Sequence, residues 1–466
     1  MQHSVGRPTA AAKALAPGPH ASGTKAPRRG VAVPDSTIPA SDAPLIAFPA
    51  YSPRTRHDML RISRHSPTPS RRTPPRTLAA AAALLCLAFT CAALPHPGAA
   101  AAEPRTADDT QSTAPRTPQV PAGVTAGVAV FDRQTGTFTE QLNASATFRS
   151  ASVVILLLAL DFLWNRSPAG IPDADRARLD AMLRSSQDSA ANHYWSTYGG
   201  PAIADRMITR LGLVDTAPPP AGYEGYWGYT AISARDTVKI YRHILETAPG
   251  DVRDFIMQRL RQSTRCASDS FDQHFGIAAA FNRPWAVKQG WSAFSAKGTC
   301  GPGSGTSTRT QAGSAAPATG AAGVDLSRPA LHTTGTVGTG DRSIVAVLTL
   351  HPDGTSYGKA YTDLGRLTRS LKVPGGTAPT GTWYGTWGSD VAVRNDPALG
   401  DNLLTRLPAG VEVLVGCQKK GQAVSVPPYT NDWWAYLPQY GGYVTNIYIS
   451  HPDNQLPDVP LCPEQR

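Results

Sequence analysis

The sequence predicts an α+β domain followed by a small all-β domain, and three observations carry that reading. Strand-like runs lie at both ends of residues 122–372 with helical patterns between them, an order that favours one antiparallel sheet assembled from the two termini of the domain. One helix, Ala151–Leu163, has only Ser152 and Asp161 as polar residues. A helix apolar on every side is buried, and 13 residues are too few to span a bilayer. After the linker at 373–382, residues 383–466 show short alternating strands and turns with no helical period.

The chain has 466 residues and a formal charge of +10. That charge is local: residues 1–102 carry 12 Lys and Arg against 3 Asp, and the remainder carries 32 basic and 31 acidic residues. A near-neutral body removes the argument for a nucleic-acid partner. Arg71, Arg72 and Arg76 precede the apolar run Leu78–Phe89, then Pro95, Pro97 and Ala99–Ala102 follow. This is the pattern of a secretory signal over 59–102; an uncleaved anchor is the alternative. Arg71-Arg72 also allows twin-arginine export. Residues 1–58 form a Pro/Ala/Arg-rich extension, disordered or untranslated, since Met59 would open an ordinary signal peptide. Residues 103–121 read as a linker.

The domain opens with a strand Val124–Phe131, the turn Asp132–Gly136 and a return strand Thr137–Gln141. The apolar helix follows, with Ser152 at its mouth near the positive end of the helix dipole. Helices are then expected over Ala174–Arg184, from Pro201 to Leu211, over Thr237–Glu246 behind the capping sequence Ser233-Ala-Arg-Asp236, and over Asp251–Leu260. Trp285–Trp291, Leu331–Val337 and Ser343–Leu350 read as strands, and Lys359–Leu371 as the closing helix. Gly301–Gly323 is a Gly/Ser/Thr/Ala insertion without apolar pattern. In the second domain Val411–Val415 and Tyr443–Ile449 alternate as strands do, and Trp433, Trp434 and Tyr436 are the candidate core.

Four cysteines follow the leader: Cys266, Cys300, Cys417 and Cys462. An even number in an exported chain suggests disulfides. Three pairings are open, and Cys266–Cys300 with Cys417–Cys462 is favoured because each pair stays inside one domain. No Cys-x-x-Cys occurs and the six body histidines show no ligand spacing, so no metal or other cofactor is expected.

Three short motifs then line up in order: Ser152-Val-Val-Ile155 at the mouth of a helix, Ser186-Gln-Asp188 with Ala190-Ala-Asn192, and Lys288-Gln-Gly290 on a strand. In an α+β domain this set resembles the serine β-lactamase and penicillin-binding D,D-peptidase superfamily, with Ser-x-x-Lys, Ser-x-Asn and Lys-Thr-Gly motifs. The resemblance covers roughly residues 120–372 and implies a β-lactamase-like antiparallel sheet with a helical region. It makes Ser152 the acylated nucleophile, Ser186 a proton relay and Lys288 the holder of the substrate carboxylate. Asp188, Asn192 and Gly290 would line the substrate site. Taken singly, Ser152 could be only a helix-start residue, Ser186 a turn residue and Lys288 a solvated strand end. Peptidoglycan stem peptides or β-lactam-like ligands would be the partners, and the protein a secreted or wall-associated monomer that meets membrane only through its signal segment.

The departures bear on activity. A lysine three residues after the nucleophile would share its helix face and could take its proton. Here that residue is Ile155. Asp188 stands where the motif has Asn, and Ser186 follows Ser152 by only 34 residues, which is short for the superfamily. No Glu-x-x-Leu-Asn stretch is present, and Glu224 lies in the unrelated Gly-Tyr-Glu-Gly-Tyr. The expectation is a weak or inactive hydrolase-like protein; a non-catalytic wall-binding protein is the rival. Ala392-Val-Arg394, Leu407–Gly410, Trp433–Tyr436 and Gly441–Asn446 resemble a bacterial SH3-like barrel, which implies attachment to peptidoglycan. A different nucleophile, Ser356 in Gly354-Thr-Ser-Tyr-Gly358, would have only His451 after it as a partner.

Overall fold

The computed structural model describes residues 118–294, 300 and 323–463. The extension, the signal segment, most of the first linker and nearly all of the Gly/Ser/Thr insertion lie outside the described residues. Contacts divide the chain after Pro104, and everything described belongs to the unit Arg105–Arg466.

Strands β1 (Thr125–Asp132) and β2 (Thr137–Leu142) form the expected hairpin. A short strand β3 (Thr147–Arg149) leads into a 3-10 turn, Ala151–Val154, which continues as α1 (Ile155–Leu163). The expected single helix from Ala151 is therefore a tight turn followed by an α-helix. Helices α2 (Asp173–Ser185), α3 (Asp188–Thr197) and α4 (Pro201–Leu211) follow. Strand β4 (Ala231–Ser233) pairs with β3, and α5 runs over Ala234–Arg242. The Ser233 hydroxyl accepts the Asp236 amide at 3.0 Å, which is the N-cap half of the expected box; the Asp236 carboxylate instead accepts the Asp215 amide and the Thr216 hydroxyl, and the helix starts three residues earlier than expected. After α6 (Gly250–Arg261) and the one-turn α7 (Ile277–Ala280) come β5 (Trp285–Ser292), β6 (Ala330–Val337), β7 (Ser343–Leu350) and α8 (Tyr357–Ser370).

The main sheet has the order β2-β1-β7-β6-β5, with every neighbour antiparallel. The sequence ends of the domain meet in its middle, where Val128 faces Val347 across the β1–β7 ladder. Both faces are covered. Ala129, Phe131, Ala286 and Ala346 join the core built by α1 to α6. Val128, Val130, Val287 and Val347 face the opposite way, toward α8. Successive strand residues point to opposite faces, so Lys288 and Gly290 share the helical side with Ala286.

The C-terminal part is a mixed set of short strands: β8 (Thr382–Gly385), β9 (Val391–Arg394), β10 (Leu403–Leu407), β11 (Glu412–Val415), β12 (Cys417–Val426), β13 (Tyr429–Leu437) and β14 (Gly442–Thr445). They form a five-stranded sheet, β10-β9-β14-β13-β12, and the pair β11-β8. The strand expected over Tyr443–Ile449 stops at Thr445, where the Thr445 hydroxyl caps a 3-10 turn, Asn446–Tyr448. Of the expected aromatic core only Trp434 is fully buried; Trp433 and Tyr436 are half-buried. Both favoured disulfides, Cys266–Cys300 and Cys417–Cys462, are formed.

This part is not held by its linker alone. One apolar cluster runs from the outer face of the main sheet through Tyr357, Tyr361 and Leu364 of α8 to Val411, Val413 and Leu437. Arg366 and Arg369 of α8 both pair with Glu412.

Candidate active site

Ser152 lies in the 3-10 turn and is 5% exposed. The residue before it, Ala151, has φ 45°, a left-handed conformation that is costly for a residue with a Cβ. Such strain persists only where the surroundings hold it. Several anchors do so. The buried Arg149 guanidinium donates to Ser292 Oγ at 2.6 Å, to the Asp325 carbonyl at 2.8 Å and to the Arg328 carbonyl. His332 accepts the Thr349 amide at Nδ1, which leaves Nε2–H to donate to the Arg149 carbonyl at 2.8 Å. Burial lowers the His332 pKa to about 4, so the ring stays neutral and keeps this tautomer.

Strand β5 presses on the turn from the other side. A Cβ at Gly290 would stand 3.0 Å from the Ser150 carbonyl oxygen and 3.3 Å from Ala151 Cβ. Any larger residue at 290 would make the turn or the strand give way by a few tenths of an ångström. On the remaining flank, a Cβ at Gly228 would stand 3.5 Å from Ala151 Cα. The neighbouring Trp227 donates its indole N–H to Asn192 Oδ1 at 2.7 Å. Asn192 is exposed and touches this wall through Trp227.

Ser186 caps the C-terminus of α2 with φ 52° and is 3% exposed. Lys288, 1% exposed, donates from Nζ to Ser186 Oγ and to the Gln289 carbonyl at 3.2 Å. Burial lowers the lysine pKa to about 7, against the opposing charge of Asp188 at the start of α3. Ser186 in turn donates to Gln273 Oε1 at 3.5 Å. The Gln273 amide nitrogen is committed to the carbonyls of Arg184 and Thr264 at 2.8 and 2.7 Å, which fixes its oxygen as the acceptor. Gln273, Arg149 and His332 escaped the sequence reading because their partners are remote in the chain and no local pattern marks them.

The structure thus joins Ser186, Lys288 and the charge of Asp188, and sets Gly290 against the Ser152 turn. Among the described residues no hydrogen bond links Ser152 Oγ to Lys288 or Ser186. Ile155, at 0% exposure, is sealed in the helical core with Leu156, Leu157 and Leu158. Glu224 turns its carboxylate to the Gly222 amide at 2.9 Å within its own turn. Ser356 caps α8 by accepting the Lys359 amide at 3.3 Å, while His451 accepts the Asp453 amide at 3.2 Å. Each of the latter two is used locally.

No family model matches the chain. Proteins described as "Putative lipoprotein LppW" from Mycobacterium bovis and Mycobacterium tuberculosis are 38% identical to it over 175 residues, 36% of this chain. The chain spans about half, 54%, of the length of these curated relatives. Among solved structures, a class A β-lactamase from Mycobacterium abscessus matches 53% of this chain and 92% of its own, at 18% identity and a TM-score of 0.37. The structure of PBP-A matches 54% of this chain and 89% of its own, at 15% identity and a TM-score of 0.37.

Proposed function

We propose that residues 122–372 form a serine hydrolase-like domain of the β-lactamase and D,D-peptidase type that binds cell-wall peptides, with acylation crippled by Ile155. The observation that carries this reading is the hydrogen bond from buried Lys288 to Ser186, beside a strained serine turn against which Gly290 is packed. Burying a lysine costs free energy, and groups perturbed in this way cluster at functional sites. With a pKa of about 7 it is divided at neutral pH between a form that draws a substrate carboxylate and a form that accepts a proton.

In the acylating reading, Ser152 Oγ attacks the peptide or lactam carbonyl carbon. Its proton passes by Ser186 to Lys288, and then returns to the amine nitrogen as the C–N bond breaks. The slow step is the first, because nothing next to Ser152 takes the proton. The rival, a binding protein that performs no chemistry, is favoured by the complete burial of Ile155 among leucines. We read residues 383–466 as an SH3-like module that holds the protein on peptidoglycan. The leader pattern and the lipoprotein name of the LppW relatives both support an exported, envelope-associated protein.

The test is incubation of the purified secreted protein with a labelled penicillin, followed by intact mass and peptide mapping. An adduct on Ser152 that disappears in Ser152→Ala establishes the acyl enzyme. An adduct seen only in Ile155→Lys establishes a preserved site without its base. No adduct in either protein rejects the acyl-transfer site.

A further inference from the structure

At the end of α1 remote from Ser152, roughly 14 Å along the helix axis at 1.5 Å per residue, the chain builds a second polar cluster. Asp161 is the only polar residue of α1, and its side chain is 7% exposed. It receives Arg206 through Nε at 3.0 Å and Nη2 at 2.6 Å, and Arg210 through Nη1 at 2.8 Å. One guanidinium balances the charge of one carboxylate, and here the carboxylate has two. Arg166, just beyond the helix, adds a third: its Nη1 donates to the Phe162 carbonyl at 2.6 Å.

Two of the three arginines lie over aromatic faces. Arg166 lies 4.8 Å over Phe162 and 5.7 Å over Tyr198. Arg210 lies 4.6 Å over Trp164, which is itself stacked on His243 at 5.2 Å and 8°. Asp161, Trp164, Asn165 and the three arginines line an open cavity of about 310 Å³.

The charge in the cavity is three guanidinium groups against one carboxylate. Asp205, on α4, acts on Arg206 as well, and burial lowers the His243 pKa, which disfavours a further charge there. A positive surplus of one to two charges remains. Nε and Nη2 of both Arg166 and Arg210 have no hydrogen-bond partner among the described residues. Guanidinium forks that line one cavity suit the several oxygens of a phosphate better than a second carboxylate. Rings that pre-order the forks lower the cost of binding.

We propose that this cleft is an anion site for a phosphate ester, with Arg166 and Arg210 on the phosphoryl oxygens and Trp164 against the carbon skeleton. Asp161 then acts as an internal competitor that keeps the forks aligned while the site is empty.

The experiment uses the secreted protein and glycerol phosphate as the probe, with thermal unfolding followed at constant ionic strength set by chloride. The expected result is a Tm that rises as glycerol phosphate replaces chloride. Arg166→Gln, which leaves the Asp161 pairs intact, should weaken the response at least tenfold. Asp161→Asn should strengthen it at least tenfold, although the protein itself is less stable. A strut that merely ties α1 to α4 gives the loss of stability alone. No specific Tm rise in the wild type, or an undiminished one in Arg166→Gln, overturns the proposal; both readouts survive if Asp161→Asn fails to fold. Sedimentation with phosphatidylglycerol and with phosphatidylcholine vesicles distinguishes the source. Arg166-dependent binding to the former alone identifies a lipid headgroup. A glycerol phosphate response without vesicle binding identifies a soluble ester.

Discussion

The mouth of α1 and the turn between α2 and α3 each place a buried serine in or beside a left-handed bend, with Ala151 at φ 45° and Ser186 at φ 52°. They differ in what meets the hydroxyl. Ser186 has a lysine on one side and a fixed amide oxygen on the other. Ser152 has, one helical step on, an isoleucine locked into the core. The strained serine turn stands where no base is bonded to the hydroxyl, and the buried amine is bonded to the other serine, at the end of a helix. Shape and proton chemistry have come apart in this site, and each can be altered separately.

The largest effect is expected from placing a base at position 155, as the proposed function requires. Ile155→Lys should raise covalent labelling of Ser152 by penicillin about 100-fold or more, the scale of a positioned base, as read by intact mass over time. Labelling that moves to Ser186 instead would invert the roles of the two serines. Lys288→Met works from the other side and should reduce any wild-type labelling by about 100-fold.

The pH dependence follows from the same lysine. Below pH 7 both folded and unfolded chains carry its proton and the burial penalty is complete. Between about 7 and the ordinary value of 10.5 the folded chain sheds the proton while the unfolded chain keeps it. Stability therefore rises with pH across that window, by at most about 1.4 kcal/mol per unit from this group. Urea unfolding of wild type and Lys288→Met at pH 7 and 9 should show the slope only in the former. Labelling, if present, should also rise through pH 7 as the neutral amine appears.

Gly290→Ala should destabilise by about 1–3 kcal/mol, since its Cβ meets the Ser150 carbonyl and Ala151 and neither can retreat without moving Ser152. Denaturant midpoints check it. The smallest effect is expected far from both serines. Glu412→Gln should cost roughly 1 kcal/mol, with labelling unchanged.

Much of the fold was legible because burial leaves a period. The apolar helix, the strands at both ends of the domain and the Ser233 cap were visible in the order of residues. β3 and β4 were not, since a three-residue strand carries no period and is defined by its partner. Nor was the end of β14, where the Thr445 hydroxyl bonds to the backbone in place of another strand. In the site, Ser152, Ser186 and Lys288 were visible as motif positions, but the link from Lys288 to Ser186 is made across 102 residues of chain. Gln273 and Arg149 matter only through such remote partners, and sequence spacing does not record them.

Helix α8 belongs to two neighbours at once. Its apolar side closes the outer face of the main sheet and continues into the C-terminal strands, and a Cβ at Gly358 would lie 2.0 Å from the Ala409 carbonyl oxygen. The joint therefore has no clean plane of cleavage. A fragment ending near residue 372 would carry away half of a hydrophobic seam, and its poor solubility would say nothing about the serines at the other side of the sheet. Ancestral recombination would meet the same obstacle: the C-terminal strands are portable only together with the helix that receives them.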